Sequence, residues 1–371
     1  MHLLRLLLVV SILAVCTGTT RAQTRKYSNE FMKIGAGARG FAMGDAQTAT
    51  VNDASAAYWN PSGMLQVDAP VQAYFMHGAM YAGLANLNFG AAVIRSGQRG
   101  RIGLGLLRLG VDNIPNTFEL VDNNGLVDYS RVTGFSVADY AGYFSYARQP
   151  ENAAWRYGLT AKVIHRQAGT FANAWGFGVD AGGQYLPHDN WTIGLMLRDI
   201  TTTFNAWQYD FTDRQQQVLL QTNNRVPDNT VEITLPQAEL GVAYHKNWNK
   251  FSVTTELNGV FRFDGESYSL VSGEQVTLDP RGGLELGYNQ LIYLRAGVSG
   301  FQRITTNNPE DFREYTAFEP ALGGGLNLQI FQIDYAYSDL GDQAPLPYSH
   351  LFTVLFNINA ASKSETPSEE T

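Results

Sequence analysis

Cysteine is nearly missing from this chain: the one thiol, Cys16, falls in an N-terminal stretch that reads as a leader. A mature chain without cysteine forms no disulfide, holds no metal through thiolates and has no thiol nucleophile. Beyond that stretch no apolar run reaches the ~18 residues a spanning helix needs, which excludes a helical membrane span. Histidine is sparse, and His77, His165, His188, His245 and His350 are dispersed without H-x-x-x-H or paired spacing, so no metal site is expected. No G-x-S-x-G elbow is present, and Ser/His/Asp combinations can be assembled only arbitrarily. The expectation is a non-enzyme with no catalytic residues, cofactor or metal. Basic charge is in deficit as well. Against 34 Asp plus Glu stand 26 Lys plus Arg, of which Arg5 and Arg21 lie in the leader, so 24 minus 34 leaves the mature chain at −10. That balance opposes nucleic-acid binding.

What is there begins with targeting. Met1, His2 and Arg5 precede an apolar block from Leu6 to Val15 and a small-residue exit, Thr20-Arg21-Ala22, which together read as a secretory signal peptide over 1–22 cleaved after Ala22. The rival is a lipoprotein signal at Leu13-Ala14-Val15-Cys16, where Val15 is bulkier than the small residue wanted before a lipidated cysteine. With 37 Gly and 45 aromatic residues (6 Trp, 19 Tyr and 20 Phe) but only 16% charged, the composition suits a glycine- and aromatic-rich barrel.

From Val67 onward the dominant pattern has period two, as when one strand face meets lipid and the other a lumen. Over 155–166, Trp155, Tyr157, Leu159, Ala161 and Val163 oppose Arg156, Gly158, Thr160, Lys162 and Arg166. Phe251 to Phe263 and Ala174 to Tyr185 repeat it. About fourteen such segments are expected over 67–359, many of the ~9–11 residues a tilted strand needs to cross a bilayer. Their connections alternate: short at 96–100, 149–153, 187–189, 247–249, 289–290 and 329–330, long at 77–85, 112–137, 167–173, 201–236, 263–280, 302–319 and 339–348. Short turns on one side and long loops on the other are the habit of outer-membrane barrels. The expected fold class is therefore all-β, a transmembrane antiparallel β-barrel, with both chain ends in the periplasm. Trp155, Trp191 and Trp248 at short-turn ends, and Trp175 and Trp207 at long-loop ends, suit the two membrane interfaces. Asp122-Asn123-Asn124-Gly125 with Asp128 lacks EF-hand spacing and reads as a plain turn.

Residues 31–63 are so rich in Gly and Ala that they suit a plug threaded through a crowded space, expected as an N-terminal hatch over 23–66. Gly35, Gly37 and Gly40 spell G-x-G-x-x-G, but residues 27–33 are too polar for the buried strand a dinucleotide site needs, and no βαβ unit follows. The run resembles the N-terminal signature of the PorV/PorQ family of outer-membrane proteins through Ile34 to Arg39, Met43-Gly44, Asn52 to Ser55 and Tyr58 to Pro61. That family is similar to a branch of the FadL-type barrels, whose hatch ends in a similar Asn-Pro-Ala; here Ser62 replaces the Ala. Asp334 to Gly341 with His350 to Asn359 resembles the family's closing hairpin, although this chain continues into a polar tail at 360–371 too hydrophilic to pack.

The resemblance implies an outer-membrane protein of a Gram-negative bacterium, set in outer-membrane lipid and linked to type IX secretion, with secreted cargo proteins or other secretion components as partners. The alternative it carries is a FadL-like channel in which the hatch shifts and a hydrophobic small molecule in the lumen leaves sideways through the wall. The hatch residues expected to matter are Gly35, Gly37, Arg39, Gly44, Asp53, Trp59, Asn60 and Pro61. Lumen-facing charges are expected at Arg156, Lys162, Arg166, Asp180, Arg198, Glu256, Arg262, Glu285 and Arg295, anchoring the hatch in preference to selecting a solute, since an unpaired buried charge is costly. Arg39 with Glu256 is the expected pair.

Overall fold

The computed structural model describes residues 28–122, 125–263, 269, 271–273, 276–305, 314–338 and 348–359. The leader with its cleavage site, the first residues of the hatch, both chain ends and the tail at 360–371 lie outside the described residues. Strands follow in chain order: β1 (Val71–Met80), β2 (Ala85–Ser96), β3 (Gly100–Asn116), β4 (Thr133–Arg148), β5 (Trp155–Ala168), β6 (Ala172–His188), β7 (Trp191–Arg198), β8 (Thr203–Tyr209), β9 (Thr230–Thr234), β10 (Gln237–Trp248), β11 (Phe251–Arg262), β12 (Val271–Ser272), β13 (Thr277–Tyr288), β14 (Ile292–Thr305), β15 (Glu314–Asn327), β16 (Phe331–Ser338) and β17 (Ser349–Ile358). They form fourteen staves of one closed antiparallel barrel. β7 and β8 are two lengths of one stave, β9 and β10 two lengths of the next, and β12 is a two-residue pairing on β13. The sheet closes where Val71 of β1 lies opposite Ile358 of β17.

The alternation read from sequence is the alternation of burial. On β5 Arg156, Gly158, Thr160 and Lys162 are buried, while Trp155, Tyr157 and Leu159 are exposed. The outer face presents Leu104, Leu106, Phe144, Phe177, Leu257 and Leu294, an apolar skin that lipid covers while polar groups turn inward. Among the described residues no helix is long and apolar enough to cross a membrane. Every stave is hydrogen-bonded to a neighbour on both sides, although among the described residues β9 pairs only with β8 and β12 only with β13, so the barrel is closed all the way round.

Three sequence expectations are corrected. The connections expected to be long at 77–85 and 167–173 are tight turns at 81–84 and 169–171. Outward-facing His77 and Gln167 break the apolar pattern there, yet the ladders continue past them to Met80 and Ala168. Much of 201–236, expected as one loop, is wall: β8 and β9 pair with each other, and only 210–229 stands between them. Trp207 points into the barrel instead of toward the membrane interface, sharing its face of β8 with buried Thr203 and Asn205.

The glycine-rich segment from Ser28 onward runs through the interior as short pieces, 3₁₀ turns at Glu30–Lys33 and Pro61–Gln66 and the helices α1 (Ala38–Ala42) and α2 (Ala56–Trp59). Its bends rest on glycine where no other residue fits. At Gly44 φ is +61° and a β-carbon would strike the backbone of Val298 on β14; at Gly37 φ is +95° and it would strike the Tyr74 hydroxyl on β1. Tyr58, buried beside Trp59 at 4.9 Å between ring centroids, sets its edge against Phe89 and Tyr143 of the wall, so this side of the segment is held by aromatic packing.

Candidate functional site

Around the rest of the circumference the interior segment is held by polar contacts. Arg39 donates Nε to Glu285 Oε2 at 2.9 Å and Nη1 to Gln47 Oε1 at 2.7 Å. Glu285 also accepts Nε of Arg295 at 2.6 Å, and Arg295 reaches Asp334 at 2.6 Å. The result is a buried chain of alternating charge from the hatch through β13 and β14 to β16. Burial and hydrogen bonding of this kind offset the desolvation of each ion. Glu256 is not the partner of Arg39: its carboxylate accepts the backbone N–H groups of Ala49 and Thr50 at 2.8 and 2.9 Å and the Thr50 hydroxyl at 2.5 Å. On β10, Glu239 accepts the Thr48 hydroxyl at 2.5 Å.

Asn60 and Pro61 fasten the opposite side. Asn60 Nδ2 donates to the carbonyls of Thr48 at 2.8 Å and Gly183 at 3.2 Å, while its Oδ1 accepts from the backbone and hydroxyl of Ser62. Ser62, in place of alanine, thus adds a bond within the motif. Trp59 Nε1 donates to the Ala36 carbonyl at 2.7 Å, and Arg198 donates to the Tyr58 carbonyl at 2.9 Å. Asp53 caps locally, accepting from the backbone and hydroxyl of Ser55, and burial raises its pKa above the usual carboxylate range. Gly35, with φ of +117°, packs near Asp45 and Phe41.

All nine expected charges stand on the inner face, and they divide in what they touch. Arg198, Glu256 and Glu285 bond the hatch directly, and Arg295 acts through Glu285. Arg166 pairs with Asp139 at 2.9 Å and lies over the rings of Phe31 and Trp207. Arg262 pairs with Asp279 across the wall. Buried Arg156 has no ion pair among the described residues. Lys162 bridges Asp180 at 2.8 Å and Asp199 at 2.5 Å. Sequence reasoning missed Glu239, Asp334 and Asp199; inward parity on β10 and β16 was the available signal for the first two, whereas Asp199 follows the end of β7 with outward parity and is buried where the chain turns at a φ of +55°.

Lys162 and its two aspartates mark a break in the wall. Between β7 and β8, residues 199–202 leave the regular register with φ of +55° at Asp199 and +58° at Thr202, the latter a costly conformation for a β-branched residue, while Ile200 N still donates to the Val179 carbonyl of β6 at 3.0 Å and Asp199 N to Asp180 Oδ1 at 2.8 Å. The adjoining stave breaks at the same level, at Leu235 and Pro236, where proline has no N–H to give. Just inside, Ser28 and Asn29 bond Glu232, Thr234 and Asn205 of β8 and β9. The described hatch therefore begins beside the break.

Above it, at the long-loop end, lies a cavity of about 1010 Å³ lined by Phe118, Phe135, Phe171, Tyr209, Phe211 and the Val218 and Leu219 face of helix α3 (Asp213–Gln221). Phe171 is the hub, with ring centroids 5.2 to 6.0 Å from Phe135, Phe118 and Phe211. Helix α3 starts in a reciprocal capping box between Thr212 and Gln215, and Arg214 ties it to the Val121 carbonyl. Tyr209 and Trp207 continue the aromatic face down the inside of β8, stacked at 6.1 Å. Beneath the hatch a second cavity, about 650 Å³, is polar and rich in amides, including Asn52, Gln72, Asn247, Gln332 and Asn357.

No protein-family model and no curated protein matches the chain. Solved structures do. The toluene transporter TodX of Pseudomonas putida is 14% identical, with 87% of this chain and 98% of that one covered and a TM-score of 0.55. The toluene transporter TbuX of Ralstonia pickettii is 14% identical over 88% and 99%, at 0.54. A Pseudomonas aeruginosa FadL homologue is 12% identical over 87% and 98%, at 0.51. At such identity the likeness is one of fold alone, that of a FadL-like barrel.

Proposed function

We propose that this protein passes small hydrophobic compounds across the outer membrane. The observation that carries the reading is the aromatic cavity in the long-loop mouth, placed over a lumen filled by the chain's own N-terminal segment. An apolar solute gains by leaving water for a cavity of this size and lining. The mouth faces outward, as long loops do in such barrels. The aromatic face of β8 leads from the cavity to the break at 199–202, and a solute following it leaves sideways into lipid once Ser28 and Asn29 move aside. On this reading the polar cavity beneath the hatch is a periplasmic vestibule that the solute never enters. The toluene transporters of the same fold support this substrate class.

A second reading rests on the N-terminal motifs alone: a PorV/PorQ-like part in type IX secretion, with cargo proteins meeting the loops. The comparisons with known structures do not support it, whereas an apolar, ring-lined cavity favours a small solute. Equilibrium binding of radiolabelled toluene to the detergent-solubilised protein tests the choice. Phe171→Asp, which places a charge at the hub of the cavity, is expected to weaken binding at least tenfold. Equal binding by the two proteins would remove the cavity as the entry site.

A further inference from the structure

Among the described residues the outward-facing surface carries a row that is not apolar. His77 lies opposite Asn88, Asn88 opposite Arg108, Arg108 opposite Tyr140, Tyr140 opposite His165 and His165 opposite Trp175, so six outward positions on β1 to β6 form one continuous line. The row is knit together. His77 Nδ1 is 2.8 Å from Asn88 Oδ1, Arg108 Nε donates to the Tyr140 hydroxyl at 3.3 Å, and the His165 ring lies 4.4 Å from that of Trp175, tilted by 31°.

Its level is that of a membrane boundary. On β5 the outward positions between Trp155 and His165 are Tyr157, Leu159, Ala161 and Val163, and on β6 those between Trp175 and Tyr185 are Phe177, Val179, Ala181 and Gly183. Ten residues of a strand tilted about 40° rise roughly 25 Å, the height of the apolar band of such barrels. The row therefore sits at the upper edge of that band, on the long-loop side. Arg108 bends away from the band. A β-carbon on Gly110, the next outward position toward the loops, would fall 2.6 Å from its Nη1, so the guanidinium lies along the strand toward the membrane surface. Among the described residues no carboxylate pairs with it, and Asp112, the following outward residue, makes no ion pair with it. An arginine offering free donors at head-group height, with Asn88 and Tyr140 beside it and an imidazole on the next strand beyond each, is built to receive phosphate oxygens.

We infer that this row binds the phosphorylated head group of the outer-leaflet glycolipid, with Arg108 as the main contact and His77 and His165 two strands away on either side. The glycolipid is chosen over glycerophospholipid because the row lies at the long-loop side, which faces outward. The test is native mass spectrometry of the full-length, delipidated protein in detergent, titrated with bisphosphorylated lipid A, dephosphorylated lipid A or phosphatidylglycerol. The wild type is expected to retain the bisphosphorylated form at least fivefold more than the other two lipids. Arg108→Gln is expected to lose most of that retention and Arg108→Lys to keep part of it, with folding of each variant checked by heat-modifiable electrophoretic mobility. Equal occupancy by phosphorylated and dephosphorylated lipid A on the wild type, equal retention by Arg108→Gln, or retention of phosphatidylglycerol at the level of lipid A would each overturn the inference.

Discussion

Arg39 shows how a single side chain is caught between two neighbouring carboxylates on the same inner face. Glu256 stands close enough to feel its charge, yet spends its lone pairs on the Ala49 and Thr50 N–H groups, and the guanidinium goes to Glu285. Burial alone would disfavour the cation, but Glu285 more than offsets it and the Arg39 pKa rises. Arg39→Leu leaves Glu285 with Arg295 still in place, so the loss should stay near the lower end of the ~3–5 kcal/mol typical of a broken buried pair. A double-mutant cycle by chemical unfolding in micelles should give Arg39 and Glu285 a coupling of about 1–3 kcal/mol, and Arg39 and Glu256 distinctly less. A larger coupling to Glu256 would show that the hatch is seated differently. The partner was not legible in the sequence because inward parity marks Glu256 and Glu285 equally, and only the path of the hatch separates them.

At the level of elements, the staves were legible because lipid on one side and polar filling on the other force a two-residue period that nothing else in the chain imitates. Their upper ends were not, since the ladders of β1 and β5 outlast the apolar skin once His77 and Gln167 face outward. The break at 199–202 was hidden for a related reason: β7 and β8 each keep the alternation, so the sequence reads as a strand followed by a loop. Wall glycines divide along the same line. On the inner face Gly283 leaves room for the hatch elbow, where a β-carbon would meet Met43 O at 2.5 Å; on the outer face Gly90 has nothing nearer than Phe75 at 3.8 Å. Gly283→Val should therefore unseat the elbow and cost about 1–3 kcal/mol, seen as faster proteolysis of the N-terminal segment in an intact barrel. Gly90→Val should be neutral within ~0.5 kcal/mol. Equal protease sensitivity of the two variants would mean that the inner glycines are not there to admit the hatch.

For the whole molecule, the barrel and its filling are two bodies whose fit can be biased by one group. Asp45 turns the hatch at φ of +61°, its Oδ1 closed off from solvent and without a hydrogen-bond partner among the described residues. Burial pushes this carboxyl up to about 7, with Glu319, Glu239 and Asp279 adding to the rise and Arg281 opposing it. With the hatch displaced, the group returns toward its ordinary value of 3.8. The seated state thus holds the proton more tightly, so this contribution to seating is complete below about pH 4, falls by up to tenfold in equilibrium constant per pH unit, and is gone above about pH 7. Ionic leakage through the protein in planar bilayers should accordingly rise between pH 4 and 7 and then level off, while Asp45→Asn should stay at the low-pH level throughout. The sign bears on the proposed transport role: at neutral pH the carboxylate works against seating, and the charge chain through Arg39 and Glu285 supplies the opposing hold. On the proposed reading, a hatch held by strong contacts but loosened by one ionised elbow would be displaced by a solute with modest binding energy, since the solute would need only to add to a bias already present.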